Sequence, residues 1–194
     1  MRAAYTDFLK SFEISATDAE FEALNGPPLK EVVHRLKLIH QLKANENLLL
    51  KNYNQFIDKI YREVKPSQGA QALLQKAKDN HCSIGIVTSN SAKRTQLWLE
   101  MVNLSHFIDF IVSGDELLYG KPHPEPYLSA IQKTGCNAQD IIAIEDSPQG
   151  AQSAIAAGLH TVGLTQQNNQ HHVHLLKETH PFSTLEQLSY YLWP

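Results

Sequence analysis

Glu145 and Asp146 are adjacent carboxylates that close the apolar run Ile141-Ile142-Ala143-Ile144, with Ser147-Pro148 directly after them. The run is rich in β-branched residues and reads as a short buried strand; Ser147 reads as a helix cap and Pro148 as the first helical position. Ligands of open α/β sheets gather at the carboxyl ends of the strands, so two carboxylates there form a candidate site for a hard cation. The competing reading is that both serve only the helix start, through its dipole.

Two further stretches place polar groups at strand ends. Ser83-Ile84-Gly85-Ile86-Val87 runs into Thr88-Ser89-Asn90-Ser91. Hydroxyls and backbone N–H donors meet there at the beginning of a helix, an arrangement suited to an anion, although Ser91 could be a cap and nothing more. In Ser113-Gly114-Asp115-Glu116-Leu117-Leu118-Tyr119-Gly120-Lys121-Pro122-His123-Pro124-Glu125-Pro126, Lys121 precedes a proline that biases it away from helical geometry. A loop lysine is ordinarily just solvated. This one follows a candidate strand and shares its rim with Thr88 and Asp146.

The elements that must position these residues fall into two regions. Residues 1–64 read as helices only. Phe8, Leu9 and Phe12 share one face, Val32, Val33, Leu36 and Ile39 a second, and Leu49, Tyr53, Phe56, Ile57, Ile60, Tyr61 and Val64 a third. Asn25-Gly26-Pro27-Pro28 must interrupt them. From Lys65-Pro66-Ser67 onward the pattern alternates, which sets the expected domains at 1–64 and 65–194. Helices are expected near Gln68 to Asp79, Ser91 to Val102, Pro124 to Thr134 and Pro148 to Ala157. Strands are expected near Cys82 to Thr88, Phe107 to Val112, Ile141 to Glu145 and His160 to Leu164. A last helix, Thr184 to Leu192, would be capped by Ser183. Short connections between alternating elements argue for an α/β fold with a parallel sheet.

Composition narrows the partners. A chain of 194 residues with 42% hydrophobic and 19% charged residues and a net charge of -3 is ordinary for a globular protein and lacks the basic excess of a nucleic-acid binder. A small molecule is the expected partner. No apolar run approaches the roughly 18 to 20 residues of a membrane helix, and the first residues lack the apolar block of a signal peptide. Cys82 and Cys136 have no metal or redox spacing, which fits a reducing, cytoplasmic setting. His171-His172-Val173-His174 resembles a metal tract but reads, from its flanks, as a polar loop entering a surface helix.

Taken in order, Val87-Thr88-Ser89-Asn90, then Gly120-Lys121-Pro122-His123-Pro124-Glu125-Pro126-Tyr127, then Glu145-Asp146-Ser147 with Gly150 and Ala156-Ala157-Gly158 resemble the second, third and fourth motifs of the haloacid dehalogenase-like phosphatases and phosphomutases. The resemblance covers nearly the whole chain. It implies a Rossmann-like parallel sheet with helices on both faces and a small all-helical cap. A phosphoryl group would sit between Thr88 and Lys121, with Ser89 and Asn90 contributing. Asp146, helped by Glu145, would hold Mg2+, and the substrate would be a small phosphorylated metabolite handled through an aspartyl-phosphate. In the cap, sugar-phosphate mutases of the family carry an arginine shortly after the glycine matching Gly26. This chain has Lys30 there, and a point charge does not replace a bidentate fork, so a phosphatase is preferred to a mutase.

The family's first motif, an apolar strand ending in Asp-x-Asp, has no match anywhere in this sequence. In the relatives that strand lies between those ending at Thr88 and Glu145, so the central strand is expected to be missing. A five-residue gap strands roughly ten backbone groups at about 1 to 3 kcal/mol each if buried, against a folding free energy of about 5 to 15 kcal/mol. Either the flanking strands close on each other, another polypeptide fills the slot, or the sequence is a fragment with Met1 an internal methionine. The last is the expectation, and a non-catalytic phosphate- or partner-binding remnant is the alternative.

Overall fold

Asn45 accepts a hydrogen bond from the Leu48 amide at 2.8 Å and so starts the longest helix of an all-helical region. The computed structural model describes residues 1–24, 27–164 and 180–193, and divides into two units, Met1–Lys65 and Pro66–Pro194.

The first unit consists of α1 (Arg2–Lys10), α2 (Asp18–Leu24), α3 (Leu29–Ile39) and α4 (Glu46–Tyr61). Most of the stripe residues converge: Tyr5, Phe8 and Leu9 of α1 meet Val33 and Leu36 of α3 and Leu49, Tyr53 and Ile57 of α4 in one continuous core, whereas Ile39, the last residue of α3, is exposed and stands outside it. Phe8 stacks on Tyr53 with ring centroids 4.6 Å apart, and burial pushes the Tyr53 hydroxyl above the ordinary tyrosine range. Two stripe residues fall outside their helices. α1 stops at Lys10, so Phe12 reaches the core from the following turn, and Val64 lies beyond α4, exposed. The helix α2 had no sequence expectation. Gly26 and His171, His172 and His174 lie outside the described residues.

The second unit alternates: α5 (Ala70–Asp79), β1 (Gly85–Thr88), α6 (Ala92–Met101), β2 (Phe110–Ser113), α7 (Glu125–Thr134), β3 (Ile142–Glu145), α8 (Pro148–Ala156), β4 (His160–Leu164), β5 (His180–Phe182) and α9 (Leu185–Leu192). Among the described residues every strand pairing is parallel. Gly85 pairs with Phe110 and Thr88 with Ser113; Ile142 pairs with His160 and Glu145 with Gly163; Val162 pairs with His180. Successive strand residues point to opposite faces, and both faces carry helices. Val87 and Ala143 join Tyr127 of α7 and Ala154 of α8 on one. Ile86 and Ile111 join Leu74 of α5 and Trp98 and Leu99 of α6 on the other.

Among the described residues the strands form two separate sheets, β1-β2 and β3-β4-β5. The expected break between β1 and β3 is present, and these two strands do not close on each other. Several boundaries move for local reasons. β1 begins at Gly85 rather than Cys82 because the Asp109 carboxylate takes the Ile84 amide at 2.7 Å. The residues Ser105–Phe107 form a 3-10 turn, not the start of β2. Thr184, not Ser183, caps α9, accepting from the Gln187 amide at 3.1 Å. The three-residue β5 was not expected at all; its Pro181 suits an outer strand, where an amide need not be donated.

Candidate active site

The carboxyl ends of β1 and β3 meet at Lys121. Its Nζ donates to the Val87 carbonyl at 3.2 Å and to Glu145 Oε1. Thr88 follows Val87 and Asp146 follows Glu145, so one ammonium ties together the tips that carry the second, third and fourth motifs. The Lys121–Pro122 peptide is cis. Side-chain exposure is 11% for Lys121 and 7% for Glu145, so this is a buried ion pair. Such a pair persists only when its remaining hydrogen-bonding positions are also filled.

They are filled at Glu145. Besides Lys121, it accepts from the Tyr127 hydroxyl on α7 and from Ser147 Oγ at 3.3 Å. Burial first, and then the Glu145 carboxylate, push the Tyr127 hydroxyl far above its ordinary range, which keeps it a donor at any physiological pH. The Tyr127 ring also lies under the ammonium, 5.2 Å from Nζ to its centroid. Gly150 completes the cradle: a Cβ there would stand 1.9 Å from Glu145 Oε2. The helix α8 that carries Gly150 begins as the sequence implied, with Ser147 Oγ accepting from the Gly150 amide at 3.1 Å.

This arrangement gives Glu145 three protein partners. Its carboxylate is committed to Lys121, Tyr127 and Ser147, whereas Asp146 is exposed at the strand tip. No group of three or more histidine, cysteine, aspartate or glutamate residues suited to a metal occurs among the described residues. At the tip of β3 the described residues bring one further carboxylate, that of Asp146, to the surface. That is compatible with Mg2+, which keeps several waters and uses one or two carboxylates plus substrate phosphate oxygens.

At the β1 tip, Thr88 Oγ1 accepts from the Asn90 amide at 3.1 Å, which leaves its hydrogen available to donate. Asn90 Oδ1 accepts from the Ser91 amide at 3.0 Å and from Arg94 at 2.6 Å, while its Nδ2, the atom able to donate to an anion, is buried without a hydrogen-bond partner among the described residues. Ser91 does cap α6, accepting from the Arg94 amide. The loop presses against β2 so closely that a Cβ on Gly114 would come within 2.7 Å of the Ser89 carbonyl. Lys30 belongs to the helical unit, exposed in the first turn of α3.

Tyr127 and the bracing role of Glu145 had no sequence expectation. The partners are separated by 18 and 24 residues, and the only available signal was that both stand within the motif segments.

The second unit is thus a parallel α/β core with an ammonium, a hydroxyl and a carboxylate near the tips of β1 and β3. The chain belongs to the haloacid dehalogenase-like hydrolases, whose family description matches residues 2–164. Its relatives include the pyrophosphatase PpaX of Oceanobacillus iheyensis, 23% identical over 97% of this chain and 85% of that protein. A phosphoglycolate phosphatase of Salmonella typhi is 32% identical over 50% of this chain and 38% of its own length. In fold the chain is similar to the β-phosphoglucomutase of Clostridium difficile, with a TM-score of 0.80 and 22% identity over 95% of this chain and 83% of that one. It is similar also to CbbY of Rhodobacter sphaeroides in complex with phosphate, with a TM-score of 0.82 and 18% identity over 96% and 88% of the two chains. No helix among the described residues is long and apolar enough to cross a membrane.

Proposed function

We propose that the α/β unit binds the phosphoryl group of a small phosphorylated metabolite at the Thr88, Lys121 and Asp146 tips and belongs to a Mg2+-dependent phosphohydrolase. The observation that carries this reading is Lys121, a buried ammonium held between the Val87 carbonyl and Glu145. In this role it would neutralise charge on the equatorial phosphoryl oxygens, while the Thr88 hydroxyl and the Ser89 amide donate to them. Asp146 is the residue that would hold Mg2+, which supplies further positive charge to the same oxygens when bound.

Tyr127, Ser147 and Gly150 act one step back. They fix the Glu145 carboxylate, and Glu145 fixes Lys121, so the ammonium is in place before substrate arrives and little reorganisation is needed. An aspartate that would accept the phosphoryl group, forming an aspartyl-phosphate that water then cleaves to phosphate and the free carboxylate, is not among the motifs of this sequence.

The test is a phosphate-release assay over a panel of small phosphorylated metabolites, run on a version of the chain extended upstream to include an Asp-x-Asp strand. Release that requires Mg2+ and is abolished by Lys121→Ala and by Asp146→Ala is expected. Release that survives either substitution contradicts the assignment, and isomerised sugar phosphate exceeding free phosphate would make the chain part of a mutase.

A further inference from the structure

Within the helical unit a cavity of about 360 Å3 opens between one face of α1 and the residues that lead into α2. Small-ligand sites range from roughly 300 to 1,000 Å3, so its size suits one small molecule. Arg2, Tyr5, Thr6 and Lys10 line it from α1. Arg2, Thr6 and Lys10 follow one another at intervals of four, which aligns them along one side of the helix over about 12 Å at 1.5 Å per residue. Ile14, Ser15, Ala16 and Thr17 line it from the connecting segment.

The lining combines one unmatched charge with several hydroxyls. Arg2 is paired with Asp18, which also borders the cavity, so the charge left over there is the Lys10 ammonium. Thr17 Oγ1 accepts from the Glu20 amide at 3.3 Å and keeps its own hydrogen to donate. The Tyr5 hydroxyl points to a ligand most directly. Tyr5 is 1% exposed, and its hydroxyl makes no hydrogen bond among the described residues. It lies beside the Thr17 backbone and the Glu20 carboxylate, but Glu20 is turned to His40 Nε2, at 2.8 Å. Burial first, and then the Glu20 charge, push the Tyr5 hydroxyl above the ordinary tyrosine range, so it keeps its proton for donation. A buried polar group left without a partner costs stability, and its persistence in a fold calls for a reason.

We propose that this cavity binds a small hydroxylated organic anion, a sugar acid or a sugar-alcohol phosphate, at a site that shares no residue with the Lys121 cradle. The charged group of the anion meets Lys10. Its hydroxyls meet Thr6, Thr17 and Tyr5, and its carbon chain lies along Ile14 and Ala16. A neutral polyol leaves the ammonium unmatched, and an apolar molecule leaves the hydroxyls desolvated without partners. Carboxylate and phosphate offer Lys10 the same attraction, which is why the chemistry is shared by both. Once bound, the anion joins α1 to the segment before α2 and favours the folded helical unit by mass action.

The inference stands on the helical unit and does not need the phosphohydrolase reading. The probes are gluconate, sorbitol 6-phosphate and sorbitol, titrated at constant ionic strength into the isotopically labelled 194-residue chain. Amide resonances of Tyr5, Thr6, Lys10 and residues 14–18 are followed. Either anion is expected to shift them along one saturating curve, with sorbitol binding at least about tenfold more weakly, equivalent to about 1.4 kcal/mol. A response to only one anion supports the proposal and assigns the charged group. Lys10→Met should weaken binding about tenfold; Lys10 is exposed, so this variant keeps the fold. Tyr5→Phe should weaken it about fivefold while raising the melting temperature of the ligand-free chain, because it removes an unpartnered buried hydroxyl. A tyrosine with only a packing role would leave binding unchanged. The proposal is overturned if neither anion gives a saturating shift, if sodium chloride or sorbitol shifts the same amides equally, or if binding survives Lys10→Met or Tyr5→Phe unweakened. The readout lies at residues 5–18, so this site can fill while the phosphate-release assay fails, and the reverse.

Discussion

The two units of this protein bury their apolar residues differently. In Met1–Lys65 a single core joins α1, α3 and α4, with Phe8, Leu9, Leu36 and Leu49 all fully buried. In Pro66–Pro194 the described residues form three separate clusters, around Val162 and Leu188, around Ala143 and Ala154, and around Leu99 and Phe107, with Ile142 and Ile144 left exposed. The helical unit satisfies itself with local stripes. The α/β unit is built around a sheet, and a sheet interrupted between β1 and β3 divides its core. What joins the halves on the described face is α7 and the polar cradle of Lys121, Glu145 and Tyr127.

That contrast can be broken by substitution. The largest effect is expected at the cradle: Lys121→Met leaves Glu145 buried without its cation and should lower stability by about 3 to 5 kcal/mol, read by urea unfolding. In the helical unit, Leu49→Ala opens a cavity in a continuous core and should cost about 2 to 5 kcal/mol, whereas Ile144→Ala, on the divided sheet, should change stability by no more than about 0.5 kcal/mol. An equal cost for the two would mean that the sheet is closed in solution. Gly150→Ala should cost about 1 to 3 kcal/mol by forcing the Glu145 carboxylate aside, and should weaken phosphate binding as well, which a purely structural glycine would not do.

A further small effect concerns Asp109. Hydrogen bonds from Lys78, first, and from the Ile84 amide hold its carboxyl below the ordinary aspartate range. Its folded pKa is depressed, so its contribution is present above the unfolded value of about 4 and is lost as pH falls through the lower folded value. Its side chain is 43% exposed, so solvent screening keeps the contribution below about 1 kcal/mol. Asp109→Asn should therefore be slightly less stable than the parent at neutral pH and converge with it in acid, measured by thermal melts from pH 7 to pH 2.

Much of the fold was legible because local chemistry specifies it. Asn45, Ser91 and Ser147 cap helices where their side chains imply, and β4 spans His160–Leu164 as the apolar run suggests. The break in the sheet followed from the missing first motif. What was illegible depends on groups brought together from afar or on elements too short to show a period. α2 has seven residues and β5 three, one of them a proline, and neither gives a repeat. At the site, the positions of Thr88, Lys121 and Asp146 could be inferred from strand ends, but their bracing could not. Glu145 Oε1 meets Lys121 and Tyr127, 24 and 18 residues away, and no local pattern records that.

The central claim is that the tips of β1 and β3 and Lys121 form one anion site with Asp146 at its rim. It is tested most directly by titrating the isotopically labelled chain with inorganic phosphate and Mg2+ and following the amide resonances of Thr88, Ser89, Lys121 and Asp146. The account predicts that all four shift together along one binding curve, that Lys121→Met abolishes the shifts, and that Asp146→Asn removes their dependence on Mg2+. Shifts that are absent, that follow separate curves, or that survive Lys121→Met would contradict it.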